Sequence, residues 1–326
     1  MRIAAFTSLT ASYLPNGRIV AKSFKSIYPD YDFVLLFNDR TPDFVDWAEE
    51  PFDNVIFSEW MPIQRPWRRW AAGYSVIEHC TATKGVAAEY LMDVLGYDAV
   101  VYLDPDTMVC SPLDEIFDAF DSGEADVVLT PHITDPETSP YGIWSHEIAA
   151  LKHGTFNLGF FAVRNRPRGR EFLRWWAERL VDYSHIDFAK GTFTDQKWAN
   201  LAPYMFEGIK VLTDRTYNVA TWNQARRKVT RGPDGRWYVN GEPMRFYHFS
   251  GFGHGFAWAD SELEYFAKTE SDLLALWDLY KGLYAAESLS EPAPPWVWDH
   301  KRSGEKMTPN DRAAVGESAA IDPFCA

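Results

Sequence analysis

The stretch YDAVVYLDPDTMVCSPLD, residues 97–114, decides the fold predicted for this chain. Residues 99–103 form an apolar, β-branched run of strand length that ends abruptly in Asp104-Pro105-Asp106. In open α/β sheets, ligands bind at the carboxyl ends of the strands. Because Pro105 stiffens the turn, both carboxylates can be directed at one point, and the stretch predicts a ligand site.

The chemistry of the two carboxylates favours a divalent cation. Mg²⁺ and Mn²⁺ take one or two carboxylates and complete their coordination with phosphate and water. Asp-Pro-Asp is also ordinary turn composition, so a purely structural turn is the alternative. An EF-hand calcium loop is excluded, because DPDTMVCSPLDE lacks the central glycine. An aspartyl-nucleophile phosphatase is disfavoured, because Met108 stands where that family has Thr or Val.

Strand-length and helix-length segments alternate along the chain. The predicted strands are residues 3–6, 33–37, 55–57, 99–103, 125–130, 156–164, 209–212 and 245–249, and the predicted helices are residues 18–26, 73–95, 168–180 and 271–284. This alternation predicts an α/β, Rossmann-like fold with a mainly parallel sheet flanked by helices. We expect one domain over residues 1–288, closed by a C-terminal helix, and an extended or partly disordered proline-rich tail over residues 289–326.

The composition argues against several classes of protein. The 46 acidic and 32 basic residues give a net charge of −14, which argues against general nucleic-acid binding and makes any basic site local. Three scattered cysteines favour a reducing cytoplasm over a disulfide framework or a zinc site. The N-terminus predicts neither a secretory signal nor a membrane span. The 14 Trp, 16 Tyr and 22 Phe suit sugar-ring contacts, although most belong to a core.

Two further segments can each be interpreted in more than one way. QRPWRRW, residues 64–70, interleaves basic and aromatic residues, so it could contact the inner face of a membrane peripherally or an acidic acceptor. A solvated loop with a few packed rings is the alternative. Residues 131–154 form a long polar stretch that could serve as a flap or acceptor contact, or be mobile.

The order LDPDT, FNLGF, TDQKW, YN and HFSGF resembles the nucleotide-sugar-dependent glycosyltransferases of the GT-A fold. The chain is most similar to the retaining family 8 type and its bacterial relatives in surface-polysaccharide synthesis. The resemblance runs from about Ile3 to His248. It implies that Asp104, Asp106 and His248 hold Mn²⁺ or Mg²⁺.

The resemblance also implies a site for a nucleoside-diphosphate sugar. Thr7 and Tyr13 correspond to the loop that holds the base, with the tyrosine ring stacked on it. The other residues implied to contact the donor are Lys84, Asp104, Asn157 and Gly159. Family 8 usually has Lys-Pro-Trp after the metal-binding histidine, whereas this chain reads GFGHGFAW. Either His254 replaces that lysine at the diphosphate or Lys84 acts alone.

Asp195 and Gln196 match the catalytic pair beside the reactive sugar carbon. Attack from the leaving-group side would give retention, and Asp195 acting as a general base on the opposite face would give inversion. The implied activity is sugar transfer from a UDP- or GDP-linked donor to a saccharide or lipid-linked acceptor. The alternatives are a nucleotidyltransferase that makes a nucleotide sugar, which lacks support because the first loop has no glycine-rich phosphate cradle, and a non-catalytic sugar-binding protein.

Overall fold

A computed structural model describes residues 1–252 and 272–317. The strands are β1 Ile3–Leu9, β2 Asp32–Phe37, β3 Asn54–Phe57, β4 Ala99–Leu103, β5 Thr107–Val109, β6 Val127–Pro131, β7 Phe156–Arg164, β8 Ile209–Val211, β9 Val229–Arg231, β10 Trp237–Val239, β11 Glu242–Pro243 and β12 Phe246–His248. The helices are α1 Leu14–Ile27, α2 Trp67–Ala72, α3 Val76–Ala82, α4 Lys84–Asp93, α5 Asp114–Ser122, α6 Pro140–Gly142, α7 Ile148–His153, α8 Pro167–Tyr183, α9 Gln196–Ala199, α10 Ala202–Met205, α11 Leu273–Ala286 and α12 Pro309–Glu317.

Seven strands form the central sheet, in the order β3-β2-β1-β4-β7-β6-β8. The pairs β3–β2, β2–β1, β1–β4 and β6–β8 are parallel, whereas β7 runs antiparallel to both β4 and β6. Parallel strands need crossover connections. Helix α1 lies in the connection from β1 to β2, whereas residues 38–53 join β2 to β3 without a helix. The sheet confirms the predicted α/β fold class with a mainly parallel sheet flanked by helices.

Alternate residues of the central strands pack on opposite faces of the sheet, as the two-residue period of a strand requires. On one face, Ala5 and Leu35 join the cluster that contains α1 and α5 side chains. On the other face, Phe6 and Leu36 join the cluster that contains α4 and α8 side chains. Burial on both faces explains why the central strands read as continuous apolar runs.

A second, two-stranded sheet joins distant parts of the chain. β12 pairs antiparallel with β5, with His248 opposite Thr107. Behind it, Tyr247 and Phe249 pack with residues of α11, and the rings of Phe249 and Tyr280 stack 3.8 Å apart. The C-terminal helix therefore supports the strand that carries His248.

The segment after α11 packs against the sheet domain. Trp296 is buried and donates from Nε1 to the Asn38 carbonyl at 2.8 Å. Arg312 of α12 is buried and donates to the backbone carbonyls of Ala72 and Tyr74. The prediction for residues 289–326 did not include helix α12.

The QRPWRRW segment leads into α2, which begins at its first tryptophan, Trp67, and both tryptophans pack against other rings. Trp70 is buried, and its ring centroid lies 5.2 Å from those of Trp67, Tyr74 and His79. The apolar part of the segment thus packs within the protein, which agrees with the packed-ring interpretation. Across the two described ranges, no helix combines the length and apolarity needed to cross a bilayer.

Candidate active site

Asp104 and Asp106 lie at the carboxyl end of β4, and the pairing of β12 with β5 brings His248 to them. His248 Nε2 lies 3.1 Å from Asp106 Oδ1 and 3.9 Å from Asp104 Oδ2. One ligand atom from each of the three side chains lies within 4.8 Å of the others. Burial alone would lower the pKa of His248, but the Asp106 and Asp104 carboxylates outweigh it and raise the pKa above its ordinary value.

Hydrogen bonds orient the His248 imidazole. Asn218 donates from Nδ2 to Thr130 Oγ1 and to Asn157 Oδ1, each at 3.0 Å, which leaves its Oδ1 to face His248 Nδ1 at 3.3 Å. Because an amide oxygen only accepts, Nδ1 of the imidazole carries a proton. In a neutral imidazole, Nε2 then presents a lone pair toward Asp106, as a metal ligand does.

Gly159 of β7 leaves the space in which these side chains meet. Its backbone carbonyl accepts from Asp104 N at 2.8 Å, so β7 and the turn after β4 are in direct contact. A Cβ at this position would lie 2.5 Å from His248 Cε1 and 2.8 Å from Asp104 Oδ2. Asn157, two residues earlier, accepts from Gly159 N at 3.1 Å.

The Lys84 ammonium lies between the carboxylates of Asp104 and Asp195. Its Nζ lies 3.2 Å from Asp104 Oδ1 and 2.9 Å from Asp195 Oδ2, and it donates to the Leu158 carbonyl at 3.0 Å. Lys84 is only 3% exposed, so it is not the surface residue that its place in a helix suggests. Burial would lower the pKa of Lys84, but Asp104 and Asp195 outweigh it and raise the pKa.

Helix packing holds Lys84 in this position. It begins α4, and the next residue, Gly85, lies so close to α8 that a Cβ there would be 2.7 Å from Ala177 Cα. The Lys84 ammonium also lies 4.2 Å from the centroid of the Tyr102 ring, whose hydroxyl donates to Asp104 Oδ1 at 2.6 Å. The charge is therefore fixed between two carboxylates and an aromatic face.

Asp195 and Gln196 are both anchored. Asp195 is 2% exposed, and besides Lys84 it accepts from Thr194 Oγ1 at 3.1 Å. Gln196 begins α9 and donates from Nε2 to the His153 carbonyl at 3.1 Å. The pair thus joins the charged floor of the site to the segment that contains α7.

One cavity of about 1150 Å³ is lined by the two acids and His248, together with Lys84, Asn157, Gly159 and Asp195. Its wall also contains Tyr13, which follows β1, and Gln196. Burial, followed by the nearby Asp106 and Asp104 carboxylates, raises the pKa of the Tyr13 hydroxyl. The phenol is therefore neutral.

One of the predicted donor residues, Thr7, does not line this cavity. Thr7 is fully buried within β1, because the strand continues to Leu9 instead of ending at Phe6. The hydroxyl-bearing residues of this stretch that line the cavity are Ser8, Thr10 and Ser12. His254 lies outside the described residues.

Sequence reasoning missed three residues that complete the site. Asn218 orients His248, His132 Nε2 lies 3.2 Å from Asn157 Nδ2, and Trp222 packs edge-on against the His248 ring at 5.1 Å. Burial is the first cause that lowers the pKa of His132, to about 3, so it accepts from the amide as a neutral imidazole. Asn218 stands in the YN motif, but the letters alone did not indicate its left-handed backbone, with φ of 48°.

The carboxylates of Asp104 and Asp106 and the imidazole of His248 fit a divalent cation. Two carboxylates and an oriented imidazole are a ligand set that Mn²⁺ and Mg²⁺ accept, with room for phosphate oxygens. The missing side chain at Gly159 is consistent with this, because a Cβ would fill the space between the ligands. The arrangement can therefore hold a cation at the edge of a cavity large enough for a nucleotide.

Comparison with known proteins gives distant likenesses. No family model matches the chain. The uncharacterized protein YfnD of Bacillus subtilis (strain 168) is 29% identical over 208 residues, which are 62% of this chain and 63% of YfnD. The uncharacterized protein YfnF of the same organism is 30% identical over 100 residues, 30% of this chain and 33% of YfnF. The chain thus spans less than two thirds of the length of both curated relatives.

One similar solved structure is that of the galactosyltransferase LgtC in complex with donor and acceptor sugar analogues. It covers 89% of this chain and 97% of LgtC, with 16% sequence identity and a TM-score of 0.49. A likeness of this size bears on neither the substrate nor the mechanism of this chain.

Proposed function

We propose that this chain is a metal-dependent glycosyltransferase of the GT-A fold that uses a nucleoside-diphosphate sugar. The observation that carries the proposal is the convergence of Asp104, Asp106 and His248, with one ligand atom of each within 4.8 Å of the others. His248 comes from a distant part of the chain, and a dedicated two-stranded sheet brings it to the acids. A turn that served only structure would not need this third residue.

Asp104, Asp106 and His248 would hold Mn²⁺ or Mg²⁺, which when bound supplies positive charge to a diphosphate leaving group. Tyr13, in the loop after β1, lines the cavity, and we propose that its ring stacks on the nucleotide base. Asn157 and Gly159 line the wall next to the acids, where the donor sugar would lie.

The pairing of Asp195 with Lys84 supports a retaining reaction. Asp195 Oδ2 lies 2.9 Å from Lys84 Nζ, and Oδ1 accepts from Thr194 Oγ1 at 3.1 Å, so both carboxylate oxygens are engaged and neither is free to take a proton from an acceptor hydroxyl. Burial outweighs the Lys84 charge and raises the pKa of Asp195, so these contacts, and not a lowered pKa, support retention. We therefore propose that Asp195 and Gln196 stabilise positive charge at the sugar carbon, while the acceptor hydroxyl attacks from the side of the leaving group. The acceptor would be a saccharide or a lipid-linked saccharide.

Calorimetry with UDP and GDP, in MnCl₂ and in EDTA, tests the proposal. We expect one of the nucleotides to bind only with the metal, and Asp106→Asn to remove that binding. Asp278→Asn, at an exposed position of α11, is the matched control. Failure of every nucleotide to bind in a metal-dependent way would refute the proposal.

Three further measurements refine the assignment. Release of pyrophosphate from a nucleoside triphosphate would instead identify a nucleotidyltransferase. Sugar binding that is indifferent to EDTA and to nucleotide would identify a non-catalytic sugar-binding protein. Proton NMR of the new anomeric centre distinguishes retention from inversion.

A further inference from the structure

Residues 140–153, called here the rim segment, form one helical stretch made of α6, a π-helical turn at Ile143–Glu147, and α7. An ordinary surface helix buries its large apolar side chains and exposes its small and polar ones. The rim segment does the reverse. The residues that it buries are small or polar: Gly142, His146 and Ala150.

Its exposed side chains are large and apolar. Trp144 is 71% exposed, Ile148 39% and Leu151 70%, and Tyr141, one turn earlier, is 36% exposed. Their spacing of three, four and three residues places them along one helical face. Contiguous exposed apolar surface of this kind marks an interaction site.

Specific contacts fix the segment in this inverted orientation. His146 Nδ1 lies 2.7 Å from Glu137 Oε1, and Lys197 donates to the carbonyls of Leu151 and Lys152 at 2.8 and 2.9 Å. Gln196, of the candidate catalytic pair, donates to the His153 carbonyl. The outward direction of the apolar face is therefore built into the fold.

The apolar face is continuous with the candidate active site. Trp144 and Ile148 line the same cavity as Asp104 and Asp106, and Ile77 of α3, 56% exposed, lines it as well. The floor of this cavity is charged and part of its rim is apolar. That polarity matches an amphiphilic ligand, with its polar head at the acids and its apolar chain at the rim.

We propose that the rim segment binds the alkyl part of a lipid-linked acceptor, an inference that rests on the proposed function. Trp144, Ile148 and Leu151 extend the stripe beyond the charged floor, and the two aliphatic side chains offer no flat face on which a sugar ring could stack. From Tyr141 to Leu151 the stripe measures about 15 Å at the rise of an α-helix, the length of an alkyl chain of roughly a dozen carbons.

Binding of two glycosides to the metal-free protein tests this. The probes are n-octyl β-D-glucopyranoside, below its micelle concentration, and methyl β-D-glucopyranoside, which shares its sugar but lacks the chain. We expect the octyl glycoside to bind at least about tenfold more tightly, the effect of burying roughly two methylene groups. The double variant Trp144→Gln/Ile148→Gln should lose this difference. Leu274→Gln, at an exposed apolar position of α11 that does not line the cavity, should retain it.

Each other outcome overturns the inference. Equal binding of the two glycosides would indicate a site for sugar alone, and binding of neither would indicate no apolar subsite. Binding of phosphatidylethanolamine/phosphatidylglycerol vesicles that the double variant loses, with octyl glycoside binding unchanged, would indicate a membrane surface. A dimer that the double variant dissociates in sedimentation velocity would indicate a contact between copies. Because the probes need neither metal nor nucleotide, failure here is distinguishable from failure of metal-dependent UDP or GDP binding.

Discussion

His248 Nε2 lies 3.1 Å from Asp106 Oδ1, although the two residues belong to distant parts of the chain. Backbone pairing creates this proximity, because His248 is opposite Thr107 in the β5–β12 ladder and Phe249 N donates to the Asp106 carbonyl at 2.7 Å. The spacing of the two side chains is therefore set by a rigid backbone arrangement. Such preorganisation allows a cation to bind without a large ordering cost.

Gly159→Ala should weaken metal binding. The new Cβ would lie 2.5 Å from His248 Cε1 and 2.8 Å from Asp104 Oδ2, so the ligands must move apart. We expect Mn²⁺ affinity to fall by about 10- to 100-fold, the usual effect of disturbing the groups that orient metal ligands. Electron paramagnetic resonance of free Mn²⁺ measures this directly.

Gly282→Ala is the control for that variant. Gly282 lies in α11, and a Cβ there would meet nothing within 4 Å. Its Mn²⁺ affinity should equal that of the wild type, and its helix should gain about 0.5–1 kcal/mol. If Gly159→Ala bound Mn²⁺ as tightly as this control does, the three side chains would not share one ion.

Asn218→Gly should reduce metal affinity without straining the backbone, and the loss of its buried hydrogen bonds should cost about 1–3 kcal/mol of stability. Glycine tolerates the φ of 48° but removes the acceptor of His248 Nδ1 and the donor to Asn157 and Thr130. The imidazole then loses its fixed orientation, and we expect Mn²⁺ to bind about tenfold more weakly.

Asn240→Gly separates the side-chain effect from the backbone effect. Asn240 has a φ of 54° but lies in the β10–β11 turn and is exposed. Titration of both variants with Mn²⁺ should show a loss only for Asn218→Gly. An equal response of the two variants would remove Asn218 from the metal site.

The sequence predicts best where the pattern is local. Residues 99–103 and 156–164 are apolar runs with clear ends, and the structure confirms both strands with those bounds. Thr7 was misplaced because polar letters suggested the end of the first strand, whereas pairing of β1 with β2 as far as Leu9–Phe37 extends it. The rim segment was predicted to lack regular structure. A helix is recognised in a sequence by apolar residues that face the core, and those of the rim segment face outward.

The sequence pattern did not predict where charged side chains lie in the folded protein. A lysine within a helix reads as a solvent-exposed residue, yet Lys84 is buried because the close approach of α4 to α8 directs it toward Asp104 and Asp195. His248 and Asp106 could be paired only through a family resemblance, since nothing local in the letters specifies the β5–β12 ladder.

Lys84→Met should destabilise the protein strongly. It leaves the Asp104 and Asp195 carboxylates together without their counter-charge, and removal of one partner from a buried ion pair costs about 3–5 kcal/mol. Urea unfolding monitored by circular dichroism measures the change. Adding Asp195→Asn should restore part of the loss, because it removes one of the two uncompensated charges. A loss below about 1 kcal/mol for Lys84→Met would contradict a buried ionic cluster.

His79 should make the fold sensitive to acid. It is fully buried among the rings of Trp67, Trp70 and Trp296, and this burial, followed by the charge of Arg312, lowers its pKa to about 3. In the unfolded chain a histidine has a pKa of about 6.5. Between these values the unfolded state binds a proton that the folded state excludes.

Stability should therefore be complete above about pH 6.5 and fall by about 1.4 kcal/mol per pH unit below it through this residue alone. His79→Phe keeps an aromatic ring and removes the titrating group, so its free energy of unfolding should decline less steeply between pH 7 and pH 5. His300→Gln, at a partly exposed position, should follow the wild type. Urea unfolding at pH 7, 6 and 5 gives the slopes, and equal slopes for wild type and His79→Phe would show that another group governs the acid response.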